Sequence, residues 1–462
     1  MAKVIDFSPA GDGEPIRFAE DTLAVQFAEI HQDSMRYVAK WGRWHCWNGV
    51  IWVPDDTLAV YDKVRALLRH EAEAATRQAA TRGVNNPAAA GRKLLDGKVV
   101  AAVEKLSRSD RRVAATAEQW DASAWALNTP QGPVDLATGE LRQPDPLDYL
   151  TRCAAVAPAS GPAPRWQAFL ERVTGGNLDL NGYLQRMCGY CLTGLTLENA
   201  LFFIYGTGAN GKSVLLNTVA GIMGDYAITA GMDILVQKKH EEHPTAIAQL
   251  QGARLVSVVE TEKGARWAEA KIKTLTGGDK ISARFMRQDY FEYTPQFKLV
   301  IAGNHKPGIK GVDEAMRRRM NLIPFTQTIP PEDRDPELFD KLKAEWPQIL
   351  QWMIDGCLAW REYRLEPPPC VVNATENYLE SEDAFGQWML ERVDLKANSF
   401  TLTSELFDNW KQWCEKNSEP YGGSKSFSQN LEDRGLKRRK QAGTGQRGFI
   451  GVELLKENTL NV

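Results

Sequence analysis

A glycine-rich loop between an apolar strand pattern and a helical pattern constrains this chain more than any other feature. Residues 201–205 are the apolar and aromatic run LFFIY, which predicts a buried strand. Residues 206–213 read GTGANGKS and match the pattern G-x-x-x-x-G-K-[ST]. Apolar residues then recur at helical spacing until Gly224. Strand, loop and helix in this order predict a phosphate-binding loop in an α/β fold.

The chemistry of this loop suits a nucleoside triphosphate. Glycines allow backbone conformations in which successive N–H groups point at one anion, and the N-terminus of the following helix adds its dipole. We expect Lys212 to contact the β- and γ-phosphates and Ser213 to contact Mg²⁺. A chance glycine-rich turn is the alternative, and the flanking patterns disfavour it. The predicted nucleotide-binding residues are Gly206, Thr207, Gly208, Ala209, Asn210, Gly211, Lys212, Ser213 and Val214.

Length and composition limit the class of protein. A chain of 462 residues suggests about three domains. It has no apolar run long enough for a membrane span, and its start lacks the apolar segment of a signal peptide. Seven scattered cysteines favour a reducing compartment. A net charge of −3 confines any nucleic-acid contact to a local patch or channel.

Two further apolar strand patterns end in polar residues. Residues 254–259 lead to Glu260 and Glu262, and residues 297–303 lead to Asn304. In phosphate-loop ATPases a neighbouring strand delivers a carboxylate to Mg²⁺ or to the attacking water. We therefore expect Glu260 to be a metal ligand, and both acids are catalytic candidates. Asn304 is a candidate for orienting the water or contacting the γ-phosphate, and a plain turn residue is the alternative.

Basic residues cluster in two further segments. Arg317, Arg318 and Arg319 are adjacent, which favours an anionic partner such as a γ-phosphate held by a neighbouring subunit; a solvated turn is the alternative. Residues 273–291 predict a helix end, a glycine turn and a hairpin with a basic, apolar tip. Such a tip suits a nucleic-acid backbone, and an ordinary solvated hairpin is an equal alternative. The candidate DNA contacts in this segment are Lys273, Arg284 and Arg287.

The flanking regions predict two further domains. Residues 43–52 contain Asn-Gly between aromatic-rich arms, a hairpin signal, and residues 56–107 are helical in character. Residues 158–164 and 365–369 are proline-rich linkers. After residue 403, two helical patterns and a basic hairpin give the outline of a winged helix, in which duplex contacts are expected. The candidate contacts there are Lys437, Arg438 and Arg439.

The predicted fold class is thus α/β with three parts. Residues 1–160 form an α+β domain, residues 161–365 form a phosphate-loop ATPase domain with a helical lead-in, and residues 366–462 form a winged-helix-like domain. Within the lead-in, Cys188 and Cys191 form a C-x-x-C pair, for which we predict buried thiols because no second pair or histidine completes a metal set.

The ordered set of motifs resembles the superfamily 3 helicases, in particular the phage and plasmid branch that includes the satellite-phage replication protein and the poxvirus primase-helicase. Five segments carry the resemblance: GTGANGKS, the strand with Glu260 and Glu262, KTLTGGDKISARF, KLVIAGN and RRRMNLIPF. Upstream, RWHCWNGVIWVPD and NTPQGPVDLATGE are similar to the domain that precedes the ATPase in that branch. Downstream, VVNATENYLESEDAFGQW resembles the start of its C-terminal winged-helix domain, so the likeness covers most of residues 20–430.

The resemblance implies an AAA+ ATPase that uses ATP and Mg²⁺ and forms a hexameric ring around DNA, along which it moves in the 3′ to 5′ direction. On this chain, Glu260 takes the second-motif acid position and Asn304 the sensor position. Arg318 and Arg319 match the arginine pair before the Pro-Phe strand, although Arg317 leaves open which arginine is the finger. Residues 283–290 match the channel hairpin.

The expected function is an ATP-dependent DNA helicase for replication of a phage, prophage or plasmid, in the cytoplasm of a bacterial host. Its expected partners are single-stranded DNA in the channel, a forked duplex and further copies of itself, with no membrane. Because many relatives begin with a primase domain and this chain begins near the pre-helicase domain, we expect a separate primase. The alternatives are an origin-binding ATPase without processive unwinding, a remodelling AAA+ protein that does not bind DNA, and a purely structural ring-forming protein.

Overall fold

The computed structural model describes residues 17–237, 245–259, 266–309, 313–397, 399–417, 419–441 and 445–455. In these ranges, no helix combines the length and the apolar character that a membrane crossing requires. The elements fall into three consecutive groups along the chain.

The N-terminal group forms a four-stranded sheet covered by helices, followed by a small three-stranded sheet. The hairpin predicted around Asn48 is present, with Trp47 paired to Trp52. The Asn48 side-chain oxygen accepts hydrogen bonds from the backbone N–H groups of Val50 and Ile51. Trp44 and Trp52 are buried in this part, as expected of core residues. Its elements are α1 (Glu20–His31), β1 (Met35–Val38), β2 (Arg43–Trp47), β3 (Trp52–Pro54), α2 (Ala59–Thr81), α3 (Pro87–Leu94), α4 (Gly97–Ser107), β4 (Ala114–Ala115), β5 (Ala126–Thr129), β6 (Gly132–Asp135) and β7 (Glu140–Leu141).

The central group contains the phosphate loop and a five-stranded sheet. Its first helices are α5 (Pro164–Thr174), α6 (Leu178–Leu192) and, after β8 (Leu201–Tyr205), α7 (Lys212–Met223). The remaining elements are β9 (Ala227–Ala230), α8 (Thr245–Ala248), β10 (Leu255–Val259), α9 (Glu269–Thr276), β11 (Ile281–Ala283), β12 (Phe291–Tyr293), β13 (Lys298–Gly303), α10 (Glu314–Arg317), β14 (Met320–Pro324), α11 (Leu338–Lys343) and α12 (Trp346–Tyr363).

The C-terminal group has two helices that precede a basic strand, as the sequence predicts. A three-stranded sheet has the order β16-β18-β17, and a cluster of aromatic residues including Trp388, Trp410 and Phe427 fills the interior. The elements are α13 (Pro369–Glu382), α14 (Ala384–Arg392), β15 (Val393–Asp394), β16 (Phe400–Leu402), α15 (Thr403–Asn417), α16 (Ser424–Asp433), β17 (Lys437–Lys440), β18 (Arg447–Ile450) and β19 (Glu453–Leu454). Helix α13 differs from the others, because its Tyr378 and Leu379 are buried against the central sheet.

The central sheet has the strand order β14-β8-β13-β10-β9, and every neighbouring pair is parallel. Parallel strands need coverage on both faces, and β8 is apolar on both. Phe202 and Ile204 pack with α6, α7 and α12, whereas Leu201 and Phe203 pack with α9 and α13. The sheet is therefore the two-sided core that the continuous apolar run LFFIY predicts.

Helices α6 and α12 pack with almost no space between their backbones. A Cβ atom on Gly189 would lie 2.1 Å from the backbone nitrogen of Cys357, and one on Gly356 would lie 2.1 Å from the carbonyl oxygen of Gln185. Cys188 and Cys191 are buried beside this contact, as predicted, and burial raises the pKa of the Cys191 thiol to about 12. The glycine of the C-x-x-C segment thus permits the close approach of the two helices.

Two buried cations attach the sheet to the elements that precede it. The Arg254 guanidinium donates to the carbonyl oxygens of Leu192, Ser123 and Ala126 at 2.8, 3.1 and 2.8 Å. The Lys298 ammonium, at the start of β13, donates to carbonyls just after α6, and burial lowers its pKa to about 7. Both cations lie where a strand begins, so they fix α6 and the chain beside β5 to one edge of the sheet.

We predict that Gly189→Ala destabilises the protein strongly. The added methyl group would overlap the α12 backbone, and overpacking of this kind costs about 1–3 kcal/mol or more. The measurement is the free energy of unfolding in urea. Gly182→Ala is the matched control on the same helix, because the nearest atom to its new Cβ is a flexible arginine nitrogen at 3.5 Å. The control should gain up to about 1 kcal/mol from helix propensity, and equal effects of the two variants would contradict the close contact.

Candidate active site

The carboxyl ends of three neighbouring strands meet at one edge of the central sheet. Gly303, the last residue of β13, is opposite Tyr205 of β8, and Val259 of β10 is opposite Ala302. The phosphate loop begins at this edge after Tyr205, and the loop that carries Asn304 begins there after β13. Strand β10 ends at Val259; the predicted catalytic acids Glu260 and Glu262 lie outside the described residues.

The phosphate loop has no room for a side chain at two of its glycines. A Cβ atom on Gly206 would lie 2.2 Å from the carbonyl oxygen of Phe325, and one on Gly211 would lie 2.6 Å from Val173. Gly208, Ala209 and Gly211 have positive φ angles of 111°, 50° and 82°. Backbone turns with residues of positive φ can aim neighbouring N–H groups at a shared concave surface, which suits a phosphate group.

The side chain of Asn210 organises the interior of the loop. It is 1% exposed, and its Oδ1 atom accepts hydrogen bonds from the Gly208 N–H at 2.8 Å and from the Lys212 ammonium at 2.9 Å. Lys212 also donates to the carbonyl oxygen of Gly206 at 2.9 Å. The lysine is thus held inside the loop by two oxygens of the loop itself.

The segment after β14 braces the loop from the side. The Phe325 N–H donates to the Tyr205 carbonyl and the Ile329 N–H donates to the Ala209 carbonyl, both at 2.8 Å. The Asn210 amide also contacts the carbonyl oxygen of Gln327 at 3.5 Å. Sequence reasoning missed this brace, and no local pattern in residues 325–329 signals it.

The remaining predicted nucleotide contacts lie around the start of α7. Thr207 and Ser213 are exposed, and Val214 is half-buried. Helix α7 begins at Lys212, so its N-terminus faces the loop. A serine hydroxyl on the first turn of this helix can hold Mg²⁺, as the motif predicts.

The arginine triplet lies at the other edge of the sheet. Strand β14 starts at Met320, which is opposite Leu201, the first residue of β8. Arg317 and Arg318 are exposed, whereas Arg319 is 7% exposed. The Arg319 guanidinium donates to the Thr276 hydroxyl at 3.1 Å and to the Ala315 carbonyl at 2.8 Å, and burial lowers its pKa. The three arginines, which the sequence alone does not distinguish, therefore differ in burial: only Arg319 is buried.

The predicted hairpin is present between β11 and β12, with Ile281 paired to Tyr293. Its tip, residues 284–290, exposes Met286 and Tyr290 by 65% and 61%. The Arg284 guanidinium lies 4.7 Å from the centre of the Tyr290 ring, and Arg287 is exposed. The tip therefore presents cationic and apolar groups together, which is typical of surfaces that bind single-stranded nucleic acid.

Lys273, a further candidate DNA contact, has a local partner. Its ammonium forms an ion pair with Asp313, whose carboxylate caps the N-terminus of α10. This ion pair joins α9 to the residue that caps α10, so the Lys273 ammonium is paired with a carboxylate of its own subunit.

The third basic surface is strand β17, at the edge of the C-terminal sheet. All four of its residues, Lys437 to Lys440, are exposed. Arg438 pairs with Glu432 at 3.2 Å and lies over the Phe449 ring, whereas Lys437 and Arg439 have no carboxylate partner among the described residues. An exposed edge of four cations suits an anionic polymer.

The fold and the loop together define a phosphate-loop protein with a parallel α/β core. Residues 24–175 match the family described as D5 N terminal like, and residues 204–319 match a family of unknown function, DUF5906. Both are typical of superfamily 3 primase-helicases, so the resemblance seen in the motifs is confirmed.

Viral proteins are among the relatives. The protein named "Putative helicase L207/L206" of Acanthamoeba polyphaga mimivirus is 24% identical over 64% of this chain and 34% of its own length. "Putative helicase 022R" of Frog virus 3 is 27% identical over 49% of this chain and 25% of its own length. "Putative primase C962R" of African swine fever virus is 23% identical over 48% and 25%. The chain thus spans about a third or less of these curated relatives.

A solved structure of similar fold is the apo C-terminal region of NrS-1. It aligns with a TM-score of 0.50 and 10% identity, over 92% of this chain and 98% of that chain. At this identity the match supports the fold, and it extends across all three groups of elements.

We predict that Asn210→Asp weakens ATP binding without unfolding the protein. The new carboxylate would pair with Lys212 inside the loop and would repel the incoming phosphates, so affinity should fall at least about tenfold, or about 1.4 kcal/mol. The measurement is the dissociation constant by calorimetry. Asn177→Asp is the control, because Asn177 caps α6 through its Oδ1 atom and lies outside the phosphate loop. Unchanged affinity of the Asn210 variant would contradict this role of Asn210.

Proposed function

We propose that this protein is an ATP-dependent DNA helicase of the superfamily 3 type that acts in DNA replication as a ring of identical subunits. The observation that carries the proposal is the position of the phosphate loop and the arginine triplet at opposite edges of one parallel sheet. The relatives named as helicases support it.

Nucleotide binding would use the loop at the carboxyl edge. The backbone N–H groups of residues 206–213 and the α7 N-terminus would bind the phosphates, and the Lys212 ammonium would move from its present acceptors to the β- and γ-phosphates. Mg²⁺, held by Ser213 and Glu260, would neutralise charge that develops on the phosphates. Glu260 or Glu262 would accept the proton of the attacking water, and Asn304 would orient that water.

The arginines cannot serve the nucleotide of their own subunit. The first and last Cα atoms of a five-residue strand are about 13 Å apart, and the triplet precedes β14 whereas the phosphate loop follows β8. An arginine finger from this triplet would instead serve the nucleotide of a neighbouring copy, in a head-to-tail interface that closes into a ring. Arg318 is our choice for the finger, since the Arg319 guanidinium is buried against Thr276 in its own subunit.

DNA contacts would come from two basic surfaces. In a ring, the hairpin tip with Arg284 and Arg287 would face the central channel and contact the strand backbone. The exposed β17 strand would contact the duplex as the wing of a winged helix. We adopt six subunits, 3′ to 5′ movement and a phage, prophage or plasmid origin from the resemblance alone.

We predict that Arg318→Ala abolishes ATP hydrolysis and that a second inactive variant restores it. Loss of a finger costs about 10³-fold or more in rate, and Lys212→Ala should be equally inactive. When the two are mixed, an interface with Lys212 from one copy and Arg318 from the other is intact. Random mixing makes about one interface in four intact, so the activity should return to that fraction of wild type.

Arg82→Ala is the control for this experiment, because Arg82 is exposed at the end of α2, far along the chain from the site. It should hydrolyse ATP at the wild-type rate. An inactive mixture, or full activity of both Arg318→Ala and Arg317→Ala, would refute the finger in trans.

We predict that Arg287→Ala and Arg284→Ala weaken single-strand binding and reduce its salt dependence. Each lost phosphate contact should make the slope of log K against log salt concentration shallower by about 0.7. The measurement is fluorescence anisotropy with a labelled oligonucleotide between low and moderate salt. Arg82→Ala again serves as the control. A slope that is unchanged in both hairpin variants would mean that the DNA binds elsewhere. In a separate unwinding assay, failure of the wild-type protein to unwind a forked duplex would favour an origin-binding ATPase.

A further inference from the structure

Helix α13 holds the loop that carries Asn304, although it lies outside the central sheet. The Tyr378 hydroxyl of α13 donates a hydrogen bond to the carbonyl oxygen of Pro307. Four residues later, the Glu382 carboxylate accepts a hydrogen bond from the Ile309 N–H at 2.9 Å. Residues 307–309 are thus fixed at both ends to one face of this helix.

The same hydroxyl also connects to the chain that follows β10. The indole N–H of Trp267, a residue that is 1% exposed, donates to the Tyr378 oxygen at 2.9 Å. The backbone of Trp267 donates to the Gly308 carbonyl at 3.0 Å. One side-chain oxygen therefore joins the segments after β10 and β13, the two strands from which the catalytic acid and Asn304 are expected.

A third contact reaches the phosphate-loop strand. The ammonium of Lys306 lies 4.1 Å from the centre of the Tyr205 ring and 5.5 Å from that of Tyr378. Tyr205 immediately precedes Gly206, whose carbonyl accepts from Lys212. Burial lowers the pKa of the Lys306 ammonium. The Asn304 loop is thereby linked to both α13 and the start of the phosphate loop.

We propose that Tyr378 is a positioning residue for ATP hydrolysis, fixing the Asn304 loop relative to the phosphate loop. Residues 369–382 lie outside both family matches, which end at residues 175 and 319. The inference rests on the proposed ATPase function and adds a residue from the helix that leads into the C-terminal group.

The hydroxyl, more than the ring, carries this role. Tyr378→Phe keeps the packing of the buried ring and its face towards Lys306, but it leaves the Pro307 carbonyl and the Trp267 indole N–H without this partner. The Asn304 loop would then shift. Because a displacement of about 1 Å at a reacting group can cost about 100-fold in rate, the effect should appear in kcat, while phosphate binding by the loop persists.

The experiment measures kcat, KM and the ATP dissociation constant for the full chain, together with its melting temperature. We expect Tyr378→Phe to lower kcat about 10- to 100-fold with ATP affinity within about twofold. Thr375→Val is the matched control, because it also removes a hydrogen-bonded hydroxyl from α13. The Thr375 hydroxyl accepts a hydrogen bond at 2.9 Å from the backbone N–H of Leu322 in β14. The control should lower the melting temperature and leave kcat within about twofold.

A double-mutant cycle tests the pathway. Trp267→Phe removes the other partner of the same hydroxyl, so the double variant with Tyr378→Phe should lose far less than the product of the two single losses in kcat. Wild-type-like kcat in Tyr378→Phe, or parallel losses of kcat and stability in the Tyr378 and Thr375 variants, would overturn the inference. If the wild-type chain itself neither binds nor hydrolyses ATP, the proposed function fails and the inference fails with it.

Discussion

In-register parallel pairing of β8 with β13 and β14 is the constraint on which the rest of the molecule depends. Leu201 is opposite Met320 at one edge of the sheet, and Tyr205 is opposite Gly303 at the other. Because all five strands run in the same direction, residues that follow a strand gather at one edge and residues that precede a strand gather at the other. The phosphate loop and Asn304 belong to the first edge, and the arginine triplet belongs to the second. A single subunit therefore keeps the phosphate loop and the arginine triplet apart, as the proposed shared site requires.

Strand β14 connects these two edges mechanically. At its start, the Arg319 carbonyl accepts from the Leu201 N–H at 2.8 Å, and just beyond its end the Phe325 N–H donates to the Tyr205 carbonyl at 2.8 Å. The chain then continues along the phosphate loop, where Phe325 approaches Gly206 too closely for any side chain. In the proposed ring, a movement of the arginines would reach the phosphate loop through this short edge strand, whose five residues all pair with β8. In the proposed ring, this strand would connect the arginines at one interface with the phosphate loop at the next.

The strand, loop and helix around Lys212 could be predicted because each is signalled within a few residues. Two features of Asn210 could not be predicted, because they depend on packing in the folded chain. Its side-chain oxygen accepts two hydrogen bonds, and its amide contacts Gln327, which lies 117 residues away in sequence. Sequence also grouped Arg318 with Arg319, since adjacent identical residues carry no information about which side chain is buried. The basic strand β17 followed a local pattern, whereas the attachment of α13 to the sheet depends on tertiary contacts alone.

The most direct test of the account is a structure of the protein with a non-hydrolysable ATP analogue and forked DNA. The quantity to measure is the distance from the γ-phosphate to the nearest guanidinium of another copy. The account predicts a closed ring in which Lys212 of one subunit and an arginine of the triplet from its neighbour both lie about 3 Å from the phosphate oxygens. A solitary subunit under these conditions, or a triplet remote from every bound triphosphate, would contradict it.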